Sequence, residues 1–457
     1  MGLRSFFGIL PPKLFYKDVS APVELLPVPE KITLLWYRRT PSDLAVGVGT
    51  EVETGQDLAR NGRGPFVSTV TGHVDEVNTF LGVDSREYLA VQISADQKDN
   101  FDPSLPAVED LSEAKPETLR ASVNRAGFTA LKSIIRDPRV WPAIDALIIS
   151  VLDLDPLSIV NQQIFRDNTD QVQAAVELLA RTTEASRCVL AVPDNLAGIA
   201  SKVSTGAATV AMVPPVYPNG LPEILAKNCG AGLLMKTYDT GFAGNTVVVS
   251  LEHALAMVSS LQTGRPMLEK TVTFSSGKGE LQNFRVRIGT PVGEILKRAS
   301  VNPQPKGKLI LNGTMRGYAC FSDEQPITAT TESVHVQEPS EVFFFQNTQC
   351  TNCGKCNAIC PVDLEVNLLG RLSEYGIYDK CRGLGIENCV ECGLCGYVCP
   401  ASRPLVQFLT RAKQGLSEEA QEPAGMEEAL ECNACGPVCP AIRLFDTESD
   451  KEDSPKA

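Results

Sequence analysis

The chain of 457 residues has little histidine, no concentrated basic charge and no long apolar run. Only His73, His253 and His335 occur, each isolated in the sequence, so a Ser–His–Asp or Cys–His hydrolytic set is not predicted. The formal net charge of −13, without a dense Lys/Arg block, argues against a nucleic-acid partner. No stretch of about 20 apolar residues is present, so no transmembrane span is predicted.

The composition is that of an ordinary soluble protein. Hydrophobic residues make up 43% of the chain and charged residues 21%, which is typical of folded proteins. A single core rarely grows beyond about 250–300 residues, so several domains are predicted. Prolines follow the brief apolar patch near the start at once, and no small-residue cleavage site appears. We therefore expect no secretory signal and a reducing, cytoplasmic environment.

Cysteine, in contrast, is abundant, and most of the 15 cysteines lie in the last quarter of the chain. Two runs there share the spacing Cys-x2-Cys-x2-Cys-x3-Cys-Pro. This spacing is typical of two [4Fe–4S] clusters, in which the fourth cysteine of each run ligates the other cluster. A disulfide framework is not expected in a reducing compartment, and zinc sites usually present their ligands in pairs. The predicted ligands are Cys350, Cys353, Cys356 and Cys399 for the first cluster, and Cys389, Cys392, Cys395 and Cys360 for the second.

A shorter group of cysteines follows in the tail, at Cys432, Cys435 and Cys439. It repeats the Cys-x2-Cys-Gly and Val-Cys-Pro-Ala parts of the second run. Three thiolates could hold three irons of a third cluster, with Cys381, which neither run uses, as the fourth ligand. The alternative is a decayed repeat whose thiols bind no metal.

The other residues predict β and α/β units ahead of the cysteine runs. Glycines between β-branched stretches predict strands at 32–37, 47–56 and 67–74, in a unit that looks like a barrel-sandwich hybrid. No lysine occurs between Lys31 and Lys98, so the cofactor-carrying role of such domains is not predicted.

The next segments change in pattern. Residues 115–265 predict a parallel sheet with helices on its faces, including a strand at 146–152, a helix at 167–182 and a strand at 188–193. Residues 271–336 predict a β-grasp module. Helices are predicted at 366–375 and 405–413, and the acidic tail from residue 416 is predicted to be disordered.

Four parts of the sequence, in their order, resemble the RnfC subunit of Rnf electron-transport complexes. They are the stretches 264–273 (Gly-Arg-Pro-Met-Leu-Glu-Lys-Thr-Val-Thr) and 287–292, the double cysteine run, and 392–400. The resemblance extends from Phe6 to Lys413 and implies a multidomain α/β and β protein. The implied parts are a barrel-sandwich hybrid domain over 1–110, a Rossmann-like α/β domain of the complex I flavoprotein type over 111–270, a β-grasp (SLBB) domain over 271–338, a helical ferredoxin-type domain with two [4Fe–4S] clusters over 339–415, and an acidic tail over 416–457.

The resemblance also implies a function. The family belongs to membrane-associated complexes that couple electron transfer, commonly between ferredoxin and NAD, to ion pumping. This chain would be an electron-transfer subunit that lies peripherally on the cytoplasmic face of the cell membrane. Its partners would be the integral membrane subunits and a small ferredoxin-like or cytochrome redox protein.

The nucleotide-binding part departs from the family pattern. The family's glycine-rich loop, of the type GxGGAGFPTxxK, corresponds here to 122–132, in which Gly127 alone of the glycines remains. The candidate FMN and NADH contacts are Arg125, Gly127 and Lys132, with Asp153 and Asp155 where the family has the glutamates of an NGAECEP-like turn. Since the glycines are lost, we expect that FMN and NADH binding is lost too and that the domain is kept as a scaffold. A divergent but working flavin site is the alternative.

Two other functions stay open on the sequence. One is a catalytic NADH dehydrogenase subunit, in which hydride passes to FMN and then singly to the clusters. The other is a soluble flavin or cobalamin reductase, a class that looks like RnfC in its middle portion. The β unit ahead of the nucleotide-type domain favours the Rnf order of domains.

Overall fold

The computed structural model describes residues 13–60, 66–96, 98–103, 107–108, 110–111, 113–125, 143–203, 206, 208–230, 246–277, 280–344, 346 and 348–419. These residues form an antiparallel sheet, a parallel α/β layer, a mixed sheet and a helical C-terminal unit, in that order along the chain. The predicted mixed α/β, multidomain architecture is thereby confirmed. Two short strands, β1 (Leu14–Phe15) and β2 (Val23–Leu25), precede these units.

The first unit is an antiparallel sheet of four strands in the order β3-β6-β5-β4. Alternating inward residues such as Ile32, Leu34, Val91 and Ile93 are almost fully buried in its core. The predicted strand at 32–37 is present, but only two residues of 47–56 are strand, and the strand predicted at 67–74 begins at Gly72 and extends further. The strands are β3 (Lys31–Tyr37), β4 (Glu51–Val52), β5 (Gly72–Leu81) and β6 (Glu87–Ala95), with a 3-10 turn at Pro41–Asp43.

The second unit is a parallel sheet with the strand order β11-β7-β8-β9. Its central strands are buried on both faces, as their continuous apolar runs predict. The predicted helix at 167–182 begins two residues later, because a separate helix occupies the residues before it. The elements are α1 (Pro116–Arg125), β7 (Ala146–Ser150), α2 (Val160–Asp167), α3 (Thr169–Thr183), β8 (Arg187–Pro193), a 3-10 turn (Asp194–Leu196), α4 (Ala197–Ala200), β9 (Thr209–Val213), β10 (Val216–Tyr217), α5 (Pro222–Asn228), β11 (Thr246–Ser250) and α6 (Leu251–Thr263).

The third unit is a mixed sheet in the order β15-β14-β16-β12-β13-β2 with one helix packed on it. The predicted strand pair, helix and further strand all occur, and two more strands complete the sheet. The elements are β12 (Glu269–Ser276), β13 (Leu281–Arg287), α7 (Val292–Arg298), β14 (Lys308–Leu311), β15 (Tyr318–Cys320) and β16 (Ser333–Gln337).

The N-terminal segment does not stay within the first unit. β1 pairs antiparallel with β10 of the α/β unit, and β2 pairs in parallel with β13 at the edge of the mixed sheet. The assignment of residues 1–110 to a single domain is therefore too simple. The first two strands tie the second and third units together before the chain enters the antiparallel sheet.

The C-terminal unit is helical. Leu369, Leu409, Ala412 and Leu416 are at most 1% exposed and form its apolar core. Burial of Leu416 explains why the last helix continues past the predicted end at 413 and the predicted boundary at 415. The helices are α8 (Lys355–Ala358), α9 (Val366–Glu374), α10 (Tyr378–Arg382), a 3-10 turn (Ile386–Asn388), α11 (Leu394–Tyr397) and α12 (Leu405–Glu419). Among the residues described here, no helix is long and apolar enough to cross a membrane.

Candidate iron–sulfur centre

The two cysteine runs adopt the same local structure. In each run a glycine with positive φ, Gly354 at 72° or Gly393 at 82°, turns the chain into a short helix. Glycine adopts this conformation without the penalty that a Cβ would bring. The third cysteine of each run, Cys356 or Cys395, consequently lies in the first turn of α8 or α11. Each run thus wraps three thiols around one loop.

The first candidate set is brought together around one small cavity. Its lining includes the first three cysteines of the first run and the fourth cysteine of the second run. Burial raises the pKa of Cys356 to about 11, and the neighbouring thiolates of Cys353, Cys399 and Cys350 raise this pKa further. The fourth cysteine of the second run is therefore a neighbour of the first run.

The second candidate set shows the reciprocal exchange. Burial raises the pKa of Cys389 to about 11 and that of Cys392 to about 12, and it raises the pKa of Cys395 well above its ordinary value. In all three cases the Cys360 thiolate contributes to the increase. The fourth cysteine of the first run therefore lies beside the three of the second run.

Each donor set consists of four thiols that are costly to ionise alone. A thiol ligates metal as a thiolate, so a bound cation has to offset the burial of each negative charge. Within the described part of the chain, no group of three or more His, Cys, Asp or Glu side chains is close enough to hold one metal ion. The four thiolates of a cubane bind four different irons and stand further apart than the ligands of a single ion. The exchanged all-thiol sets fit such a cluster better than they fit zinc.

The two sets differ in their exposure. Cys350 and Cys353 are partly exposed, whereas Cys392 and Cys395 are each 8% exposed. Partial burial acts to raise the pKa of Cys350, but the backbone N–H of Asn352 and the Arg371 and Arg403 guanidiniums outweigh it and lower that pKa. The first set is therefore near the surface and close to positive charge, and the second is inside the protein.

Two of the candidate flavin contacts have partners within the protein. Asp153 is fully buried, and its carboxylate accepts hydrogen bonds from the backbone N–H of Asn161 at 2.8 Å and from Gln162 Nε2 at 3.1 Å. Burial raises the pKa of Asp153 to about 6. Asp155 accepts from the backbone N–H groups of Leu157 and Met315, each at 3.0 Å. Both carboxylates therefore stabilise loops of this chain.

Several predicted positions lie outside the described residues. These are Gly127, Lys132, the side chain of Arg125, and the tail cysteines Cys432, Cys435 and Cys439. Cys381 is described and is fully buried in the core of the helical unit. Its thiol lies 3.5 Å from the carbonyl oxygen of Ile377 and 3.7 Å from Ser373 Oγ. A role for Cys381 as a ligand of a tail cluster would require α10 to open.

The sequence reasoning missed a buried charge cluster between α6 and the mixed sheet. Lys270 is 1% exposed and pairs with the buried Glu252 carboxylate. Glu332 is also buried, and its Oε2 atom has no hydrogen-bond partner among the described residues. The only sequence signal was a lysine in the otherwise β-type stretch 270–276. Two carboxylates and one ammonium group thus share a site with little water.

Comparison with known proteins agrees with the order of the units. No protein-family model matches the chain. It is 24% identical over 399 residues to the RnfC component of the proton-translocating ferredoxin:NAD(+) oxidoreductase complex of Clostridium ljungdahlii, covering 83% of this chain and 87% of that protein. It is 27% identical to the RnfC component of the ion-translocating oxidoreductase complex of Rhodobacter capsulatus, over 90% of this chain and 83% of that one.

Other relatives are covered less completely. The RnfC protein of Methanosarcina acetivorans is 34% identical over 178 residues, which is 39% of this chain and 40% of that protein. The chain covers 54% of the RnfC protein of Erwinia tasmaniensis. Among solved structures, an NAD+-reducing [NiFe]-hydrogenase in the H2-reduced state aligns with a TM-score of 0.40 and 13% identity, over 69% of this chain and 65% of that one. A structural similarity this low supports no conclusion about function.

The cysteine runs and these relatives define a subunit of an electron-transport oxidoreductase complex. More specifically, the chain is an RnfC-like protein, similar over most of its length to the RnfC components of ion-translocating oxidoreductase complexes.

Proposed function

We propose that the chain is an electron-transfer subunit of an Rnf-type complex and carries two [4Fe–4S] clusters. The observation that carries the proposal is the exchange of the fourth cysteines, which puts Cys399 with the first run and Cys360 with the second. A [4Fe–4S] cluster, when bound, accepts and releases one electron at a time. Ligand exchange between the runs keeps the two sites adjacent in one helical unit, as single-electron transfer between them requires.

The chain's residues give the two sites different roles. Cys350 and Cys353 lie near the surface, with the exposed Lys355 and the Arg371 guanidinium in the same region. A redox protein docked there would come close to the first site. The second site is enclosed by the α/β and mixed-sheet units and serves as the inner station. Positive charge at the outer site suits a partner with an acidic surface, such as a ferredoxin, because opposite charges favour encounter.

The partners and location follow from the same proposal. The relatives are named as subunits of ion-translocating complexes, so the chain would contact integral membrane subunits and a small ferredoxin-like or cytochrome redox protein. It would lie peripherally on the cytoplasmic face of the membrane. Single electrons would then pass between the soluble protein and the membrane subunits.

FMN and NADH are not part of the proposed function. The carboxylates of Asp153 and Asp155, two of the candidate contacts, are occupied by hydrogen bonds within the chain, which supports a scaffold role for the α/β unit. A catalytic NADH:FMN dehydrogenase subunit is the competing function. It requires a flavin bound in stoichiometric amount and rapid reduction by NADH.

Anaerobically purified and reconstituted protein separates these functions. We expect reduced ferredoxin to bleach the cluster absorbance, NADH alone to leave it unchanged, and extracted flavin to be far below one per chain. The Cys356→Ala variant provides the control, since it removes one ligand of the first set and should reduce the bleaching by ferredoxin. Stoichiometric FMN with rapid bleaching by NADH would replace the proposal with the dehydrogenase function. Failure of ferredoxin and every other low-potential protein donor to bleach the clusters would contradict both.

A further inference from the structure

The loop that carries Cys392 is held by residues from two other units. The Tyr217 hydroxyl donates a buried hydrogen bond of 2.5 Å to the carbonyl oxygen of Cys392. Val390, Cys392 and Leu394 belong to the same apolar cluster as Ile148 and other residues of the α/β unit. The second cysteine set is therefore in direct contact with the parallel-sheet unit.

A turn of the mixed-sheet unit covers the same loop from another side. Residues 313–316 follow β14, and the carbonyl oxygen of Met315 faces Gly393 so closely that a Cβ on Gly393 would overlap it. Met315 itself packs against the apolar cluster that contains Cys392. The Arg316 guanidinium is near enough to act on the Cys392 thiol, where it opposes the effect of burial on the pKa.

Asp155 holds this turn in position. Its carboxylate accepts from the backbone N–H of Met315 at 3.0 Å, and Gly313 lies so close to it that a Cβ there would overlap the carboxylate. Asp155 is 2% exposed, so water does not replace this hydrogen bond easily. A side chain that follows β7 thus fixes a turn of another unit onto the second cysteine run.

The positions of Asp155 and Tyr217 in the fold explain why they meet the cysteine loop. Asp155 follows the carboxyl end of β7, and Tyr217 lies shortly after the carboxyl end of β9. In open parallel sheets this end is where ligands bind. In the described part of this chain, the residues at this end contact a cysteine loop and a neighbouring turn.

We propose that Asp155 and Tyr217 are positioning residues that seal the second cluster site from water. The proposal rests on the proposed function, because it presumes that both cysteine sets hold clusters. Tyr217 fixes the Cys392 loop directly, and Asp155 fixes it through the 313–316 turn. The α/β unit thereby encloses the inner electron-transfer site.

Iron release to a chelator under anaerobic conditions tests the proposal without an activity assay. The outer site should lose its iron in a fast phase and the buried site in a slow phase. Tyr217→Phe removes the hydroxyl and leaves a buried carbonyl without its donor, a change of about 1–3 kcal/mol, so the slow phase should become at least about fivefold faster. Asp155→Asn should also accelerate the slow phase, and the fast phase should not change in either variant.

Tyr88→Phe is the matched control. Tyr88 also donates its hydroxyl to a single acceptor, Asp84 Oδ2 at 2.8 Å, but it lies in the antiparallel sheet. Its removal should leave both phases unchanged. Equal acceleration of both phases by Tyr217→Phe and Asp155→Asn, or no acceleration by either, overturns the sealing role even if both clusters are present. Absence of clusters from the wild-type protein would instead refute the proposed function.

Discussion

Glu332→Gln should stabilise the protein at alkaline pH and have much less effect at acidic pH. Glu332 lies beside the buried Lys270–Glu252 pair, and one of its carboxylate oxygens has no partner among the described residues. Burial raises the pKa of Glu332 from 4.5 to about 7, although the Lys270 ammonium group opposes this increase. Glutamine has nearly the same shape and carries no charge at any pH.

The sign and size follow from the two pKa values. Because the folded-state pKa is the higher one, the protonated Glu332 favours folding below about pH 4.5, and this contribution is lost as the pH rises through about 7. Each pKa unit corresponds to about 1.4 kcal/mol, so ionisation of Glu332 costs the fold about 3 kcal/mol above pH 8. The advantage of the variant should therefore grow by about 2.5 kcal/mol between pH 5 and pH 8.

Hydrogen exchange measured by mass spectrometry on peptides that cover β12 and β16 is the suitable assay, because it reports local opening in a protein of several units. After correction for the intrinsic pH dependence of exchange, the variant should be better protected at pH 8 and similar to wild type at pH 5. Glu294→Gln is the control, since Glu294 forms an exposed pair with Lys297 and should shift protection by less than about 0.5 kcal/mol. Equal protection of variant and wild type at both pH values, or weaker protection of the variant at pH 8, would refute the reasoning.

Three further predictions concern the buried charges and the cluster sites. Lys270→Met should lower the free energy of opening of the same peptides by about 3–5 kcal/mol, because it leaves Glu252 as an unpaired buried charge, and adding Glu252→Gln should recover part of this loss. Cys356→Ala should lower the iron content, whereas Cys381→Ala, in the helical core, should leave iron and the spectrum of the reduced protein unchanged; a matching loss in both would assign a ligand role to Cys381. Arg316→Gln should lower the midpoint potential of the inner cluster in an EPR-monitored titration, since it removes a positive charge that favours the reduced state, and Arg316→Lys should not; an unchanged potential in both would place this charge too far away to matter.

Local patterns in the sequence predicted much of the helical unit and the central strands. The cysteine spacing depends on a turn that only nearby residues determine, and the strand at 188–193 and the helix from Val366 are visible as apolar patterns. The exchange of the fourth cysteines was predictable because it follows from the spacing itself. These features need no knowledge of distant contacts.

The contacts between units could not be predicted in this way. β1 has two residues and β2 has three, and each finds its partner strand some 200 or more residues away, as Leu14 does with Tyr217. The carboxylates of Asp153 and Asp155 looked available for a ligand, and only the folded chain reveals that backbone N–H groups occupy them. Nothing in the sequence around Lys270 indicates that Glu252 is its partner.

The central claim is that the eight cysteines of the two runs, and no others, hold two clusters. The most direct test is to measure iron, acid-labile sulfide and the EPR signal of the reduced protein after Cys432, Cys435 and Cys439 have all been changed to alanine. We expect about eight irons and eight sulfides per chain, as two cubanes require, with a signal from two interacting centres. About four irons per chain, or zinc in place of iron, would contradict the claim.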